Sequence, residues 1–211
     1  MSQANATLLS LPNVLTLSRV VMIPLLVGAF FLPKPVANWT ALAVFAAASV
    51  TDFFDGFVAR RRAQYSDFGR FLDPLADKLL IAAAIVMLAA VHSLPGLAIL
   101  PAIVILLREI IVSGLREFLA GISIGVPVSK LAKWKTTIQM VALGFLIVGD
   151  AAPAAVPAQL IGEVALWLAA ALTIATGYDY LRAGIGHIVA ADAAGRAAAP
   201  AEQPGRPRPA A

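Results

Sequence analysis

Apolar runs recur along the chain at residues 12–32, 38–61, 72–92, 96–120, 131–149 and 159–187. Each is about 20 residues or more, enough for a helix to cross roughly 30 Å of hydrocarbon. The runs are broken where Pro, Gly or polar residues accumulate: Pro33 to Pro35, the Arg-rich stretch after Ala59, Ser93 to Gly96, Gly121 to Ser129, and Asp150 to Pro157. The pattern predicts an all-α fold, an integral membrane bundle of six transmembrane helices over residues 1–189. Residues 190–211, rich in Ala, Pro, Gly and Arg, read as a disordered cytoplasmic tail. No internal repeat is evident.

Composition agrees with the pattern. Of 211 residues, 60% are hydrophobic and 13% charged, with a mean hydropathy of +0.86; soluble domains carry about 25% charged residues. A soluble globular enzyme is excluded. With no Cys there is no disulfide framework and no thiol chemistry. Residues 1–12 hold no Lys or Arg and no small-residue cleavage site follows the first run, so the first span is expected to be retained rather than removed as a signal peptide.

The positive charges orient the bundle, because Lys and Arg collect on the cytoplasmic side. Arg60, Arg61, Arg62 and Arg70 lie around the connection after span two, and Arg116, Lys130, Lys133 and Lys135 border the one after span four. The connections after spans three and five hold neither residue, and the one after span one holds only Lys34. Both termini are therefore expected in the cytoplasm.

Against this apolar background one stretch is acidic. Asp52, Asp55, Asp73 and Asp77 stand at offsets 0, 3, 21 and 25, on the end of one helical run and the start of the next. At about 100° per residue, Asp52 and Asp55 share a face, as do Asp73 and Asp77. Gly56 and Ala59 extend the first face with almost no side chain, leaving room for backbone to approach a bulky ligand. Carboxylates this close repel one another unless a cation lies between them. Oxygen-only ligation favours Mg²⁺, Mn²⁺ or Ca²⁺ over zinc, and four acids suit two ions better than one.

The spacing D-x2-D-G-x2-A-R-x8-G-x3-D-x3-D fixes eight residues across 26 positions, and it resembles the signature of the CDP-alcohol phosphotransferases. The resemblance implies that Asp52, Asp55 and Asp73 are ligands of Mg²⁺ or Mn²⁺, in a pair of ions. Asp77 would be the general base that takes the proton of the attacking alcohol. A carboxylate beside a divalent cation is a weakened base, so Asp77 acts late in the reaction or serves as a fourth metal ligand. Gly56 and Arg60, with Asp52, would contact the CDP-lipid; Asn13 and Thr16 of the first span would help hold its cytidine.

Further stretches extend the likeness over residues 12–183: Asn13 to Arg19, Leu107 to Glu117, Val128 to Thr137 with Gln139-Met140, and Tyr178 to Leu181. They resemble the bacterial branch that makes phosphatidylglycerophosphate. That branch implies CDP-diacylglycerol and sn-glycerol 3-phosphate as substrates, CMP as leaving group, a homodimer in the bacterial inner membrane, lipid contacts and no nucleic-acid partner. The acceptor is dianionic near neutral pH, and Arg108, Arg116 and Lys135 are candidates for its phosphate site.

Each of these residues also has a plainer reading. Charges inside a span normally face a cavity or one another, so a structural ion pair such as Glu109 with Arg116 is the plainer reading, and it leaves Arg108 or Arg116 free to meet an anion. Lys130 and Lys133 are anchors at the membrane face beside an interfacial Trp134, whereas Lys135, Thr136 and Thr137 could reach a phosphate. Tyr178 and Tyr180 read as an aromatic belt, and His92 and His187 as interfacial residues. Ser10 and Asn13 are suited to helix capping. Two other functions compete: a sister enzyme making cardiolipin or another headgroup, and a divalent-cation transporter. A transporter would place acids near mid-membrane on several spans, and here they cluster on two.

Overall fold

The computed structural model describes residues 11–62, 67–122 and 130–198. All regular structure among them is helical, in six long segments: α1 (Leu11–Ala29), α2 (Val36–Arg62), α3 (Asp67–Ala90), α4 (Ile99–Gly121), α5 (Lys130–Val148) and α6 (Ala158–Ala198). They coincide with the six apolar runs. A single 3-10 turn at Gly96–Ala98 leads into α4, and another at Gly149–Ala151 follows α5.

Among the described residues, Gly96–Gly121, Leu131–Ala151 and Ala158–Val189 are long and apolar enough to cross a membrane, and Thr16–Ala29 and Val36–Thr51 are shorter apolar helical stretches. The helix α6 continues to Ala198, so the boundary expected at residue 189 falls inside it. The physical reason is local: residues 190–199 are mostly alanine, the best helix former, and the next breaker is Pro200. Residues 199–211 of the expected tail lie outside the described residues.

The helices pack as a closed ring. α1 lies against both α2 and α3, α2 against α5, α5 most extensively against α6, α6 against α4, and α4 lightly back against α3. Leu26, Phe45, Leu80, Ile105, Leu143 and Leu166, one from each helix in turn, meet in one core and are at most 3% exposed. Ala41, Ala48, Ala84, Ala102, Ala142 and Ala169 are fully buried. Small residues matter here because lipid tails are as apolar as Leu, so helices associate by close van der Waals packing rather than by escape from water. Large apolar side chains are correspondingly left outside, as with Leu17, Val21 and Leu25 at one-turn spacing along α1.

Two hydroxyls of α2 are satisfied by their own helix. Ser49 donates to the carbonyl of Phe45 (2.7 Å) and Thr51 to that of Ala47 (2.8 Å), four residues back. Side-chain amides tie together one end of the ring. Asn38 donates to the last carbonyls of α5, Ile147 O (2.8 Å) and Val148 O (3.0 Å), while Gln159 donates to Ser93 O beyond α3 (2.9 Å). At this end α2 and α6 begin and α3 and α5 finish. The C-terminal part of α2 and the first turns of α3 and α5 consequently point to the opposite end, with the C-terminal halves of α4 and α6.

Candidate active site

The acid-bearing turns lie at that opposite end. Asp52 precedes the end of α2 at Arg62 by the same interval that Asp77 follows the start of α3 at Asp67, roughly 15 Å of helix in each case. Within α3, Pro74 follows Asp73 directly and removes the N–H that would bond the carbonyl of residue 70. The side chains of Asn13, Asp52, Asp55, Gly56, Arg60 and Asp73 lie outside the described residues. Asp77 is half-buried.

Thr16 is buried on α1, as expected of a residue facing the interior, and Arg19 one turn on is wholly buried.

The cations from α4 and α5 gather around one carboxylate. Lys135 Nζ donates to Glu109 Oε1, and Arg108 Nη1 stands 3.6 Å from the same oxygen. Arg108 Nη2 donates to Thr176 Oγ1 of α6 at 3.2 Å, and Thr176 in turn donates to Leu172 O (2.8 Å). Gly177 makes this crossing possible: a Cβ there would meet Arg108 Cγ at 3.1 Å and Nε at 3.3 Å. Side-chain exposures of 4% for Lys135, 14% for Glu109 and 17% for Arg108 place the group in the bundle interior. Two cations and one anion leave a single net positive charge.

Several expectations are corrected by this geometry. Glu109 pairs with Lys135 and Arg108, not with Arg116, because Arg116 is about two turns further along α4. Arg116 is exposed and lies over the ring of Tyr180, 5.7 Å from its centroid. Tyr180 is buried against Val112 and Leu119 rather than placed in an interfacial belt, whereas Tyr178 is exposed. Thr136 and Thr137, named beside Lys135 as residues that could reach a phosphate, are exposed and donate back to Ala132 O (3.1 Å) and Lys133 O (3.2 Å) of their own helix, whereas Lys135 is buried. Trp134 is 66% exposed, in keeping with an anchor. His92 ends α3 with a left-handed φ of 59°, and the N–H of Ser93 bonds back to Leu88 O at 2.9 Å, closing the helix end.

A cavity of about 320 Å³ opens between α3 and α4, with Lys78, Glu109, Ser113 and Glu117 on its polar side and Leu75, Leu79 and Ile110 on its apolar side. Its walls suit an amphipathic molecule. Within α4, Glu109, Ser113 and Glu117 face this cavity, whereas Arg116 faces α6.

Comparison with known proteins narrows the chemistry. The family model for CDP-alcohol phosphatidyltransferase matches residues 9–175. A protein of Rickettsia bellii named CDP-diacylglycerol–glycerol-3-phosphate 3-phosphatidyltransferase is 45% identical over 174 residues, covering 82% of this chain and 94% of its own length. Proteins of the same name from Shigella flexneri (42% over 176 residues, 82% and 94% covered) and Cereibacter sphaeroides (38% over 214 residues, 85% and 97% covered) are also similar. With the family match and three long apolar helices, the chain is a multi-pass membrane enzyme of phospholipid biosynthesis. It belongs to the CDP-alcohol phosphatidyltransferase family.

Proposed function

We propose that the chain transfers the phosphatidyl group of CDP-diacylglycerol to sn-glycerol 3-phosphate, giving phosphatidylglycerophosphate and CMP. The observation that carries this reading is the buried meeting of Lys135 and Arg108 around Glu109. A dianionic acceptor needs such a cationic pocket, and its free hydroxyl must reach the acidic helices at the same time. The names of the similar proteins support the same pair of substrates.

In the proposed reaction the acceptor hydroxyl oxygen bonds to the β-phosphorus of the CDP-lipid and its proton passes to Asp77, while the bond from that phosphorus to the bridging oxygen breaks and CMP leaves with that oxygen. The donor set of Asp52, Asp55, Asp73 and Asp77 is all oxygen with no Cys in the chain, which fits Mg²⁺ or Mn²⁺. Two such ions would supply charge neutralisation at the diphosphate and at the attacking and leaving oxygens. Gly56 and Arg60 would contact the diphosphate, and Asn13 and Thr16 the cytidine. Phosphoryl-type transfer depends on positioning and electrostatics more than on covalent help from the protein, and the residues proposed here do both.

The site is proposed to face the cytoplasm across the bacterial inner membrane, on the strength of the Lys and Arg distribution, and the chain to act as a homodimer, as the family resemblance suggests. CMP release from CDP-diacylglycerol with a panel of acceptors tests the activity. Release with glycerol 3-phosphate alone is expected. Release with serine, inositol or phosphatidylglycerol instead would assign a sister reaction, and metal uptake into vesicles without CMP formation would assign transport.

A further inference from the structure

At and beneath the Lys135–Glu109–Arg108 layer the bundle holds buried polar atoms with no hydrogen-bond partner among the described residues. Gln139 is wholly buried, yet neither its amide nitrogen nor its carbonyl oxygen is hydrogen-bonded. Thr173 is also wholly buried, with an unpartnered hydroxyl, and Arg108 Nε is buried and unpartnered as well. In the hydrocarbon zone such groups are costly unless something satisfies them.

Helix register places them on the faces that carry Lys135 and Thr176. Gln139 lies one turn beyond Lys135 on the same face of α5. Thr173 lies one turn before Thr176 and Gly177, the two residues of α6 that receive Arg108. α5 and α6 are the most extensively packed pair in the bundle. Gln139 and Thr173 thus carry an amide and a hydroxyl one turn from Lys135 and Thr176, the residues that meet Glu109 and Arg108, whose own Nε is unpartnered.

We infer that Gln139 and Thr173 complete the acceptor site by donating hydrogen bonds to the phosphate monoester of the acceptor, and so determine specificity for a phosphorylated alcohol. The inference rests on the proposed acceptor and names what that site still lacks. The cationic layer offers one net positive charge against a dianion, and its Lys135 and Arg108 are already engaged with Glu109. Three terminal phosphate oxygens need more donors than that layer has to spare, and neutral donors supply them without adding buried charge. A neutral alcohol would leave the donors unsatisfied and be rejected.

The test uses the full-length enzyme in detergent micelles containing CDP-diacylglycerol, with Gln139→Leu, Thr173→Val and the conservative Thr173→Ser. The wild-type acceptor panel and Lys135→Ala are measured first; if the wild type does not use glycerol 3-phosphate, the functional proposal fails independently of these variants. With that activity in hand, Gln139→Leu and Thr173→Val are expected to raise KM for glycerol 3-phosphate roughly tenfold each. KM for CDP-diacylglycerol should stay within about twofold, and Thr173→Ser should restore the wild-type value. Because each substitution removes an unsatisfied buried group, Tm should hold or rise. An unchanged KM for glycerol 3-phosphate in both variants overturns the inference and leaves these atoms to water. A fall in Tm with both KM values altered overturns it in favour of a structural role.

Discussion

At the scale of single residues the decisive contact is that of Glu109 with two cations. Lys135→Ala removes a buried ammonium from the proposed phosphate pocket, so KM for glycerol 3-phosphate should rise about tenfold or more while KM for CDP-diacylglycerol is kept. Arg116→Ala should give a smaller rise, because Arg116 is exposed and already lies over Tyr180. An unchanged KM in both variants would remove these side chains from the acceptor site. Glu109→Gln acts in two directions at once. It leaves Lys135 and Arg108 without their counter-charge, which should lower Tm by an amount corresponding to about 3 kcal/mol. It also raises the net charge of the cluster, so KM for glycerol 3-phosphate should fall; a raised KM would show instead that Glu109 orients Lys135. Charges in this span were expected from sequence to seek each other, and they do. The partner was misassigned because sequence spacing within α4 favoured Arg116, whereas Lys135 comes from a helix 26 residues away.

At the scale of elements, α6 is organised by glycines at which other helices come close. A Cβ at Gly162 would stand 2.7 Å from Leu146 Cγ and 3.1 Å from Leu146 N, and Leu146 is fully buried. Gly162→Ala must push α5 from α6 and should cost about 1–3 kcal/mol, seen as a lower Tm in detergent with both KM values unchanged. Gly177→Ala should behave differently. Its new methyl meets the Arg108 side chain rather than backbone, so the expected outcome is a several-fold rise in KM for glycerol 3-phosphate with little change in Tm. Equal effects of the two substitutions on Tm would mean that Gly177 serves packing alone. Neither role was readable beforehand, since a glycine in an apolar run does not say which neighbour approaches it.

At the scale of the whole molecule, function depends on one end of the bundle facing water on the proper side. The absence of Cys gives a clean background for single-cysteine labelling. Ala154→Cys, in the exposed turn before α6, should react with an impermeant maleimide added outside spheroplasts, and Lys133→Cys, exposed near the start of α5, only after permeabilisation. The reverse pattern would invert the proposed topology. Chelation with EDTA should abolish CMP release, with recovery on adding Mg²⁺ or Mn²⁺, and Asp77→Asn should abolish it without recovery. Activity that survives both treatments would discard metal-assisted transfer at the acidic helices.

The six apolar runs, the membrane setting and the spacing of the four aspartates were all legible in the chain, for one physical reason. Crossing hydrocarbon requires each segment to be apolar and to satisfy its own backbone, so every span declares itself by its own composition and by no other part of the sequence. The fixed offsets of Asp52, Asp55, Asp73 and Asp77 are likewise local, a matter of helical turn. What the tertiary structure alone decided is which side chains meet: Lys135 with Glu109, Arg108 with Thr176 across 68 residues, Tyr180 beneath Arg116, and Gln139 and Thr173 buried without partners. Those meetings follow from how far each helix is rotated about its axis and which neighbour it packs against, and no pattern within a single span records either quantity.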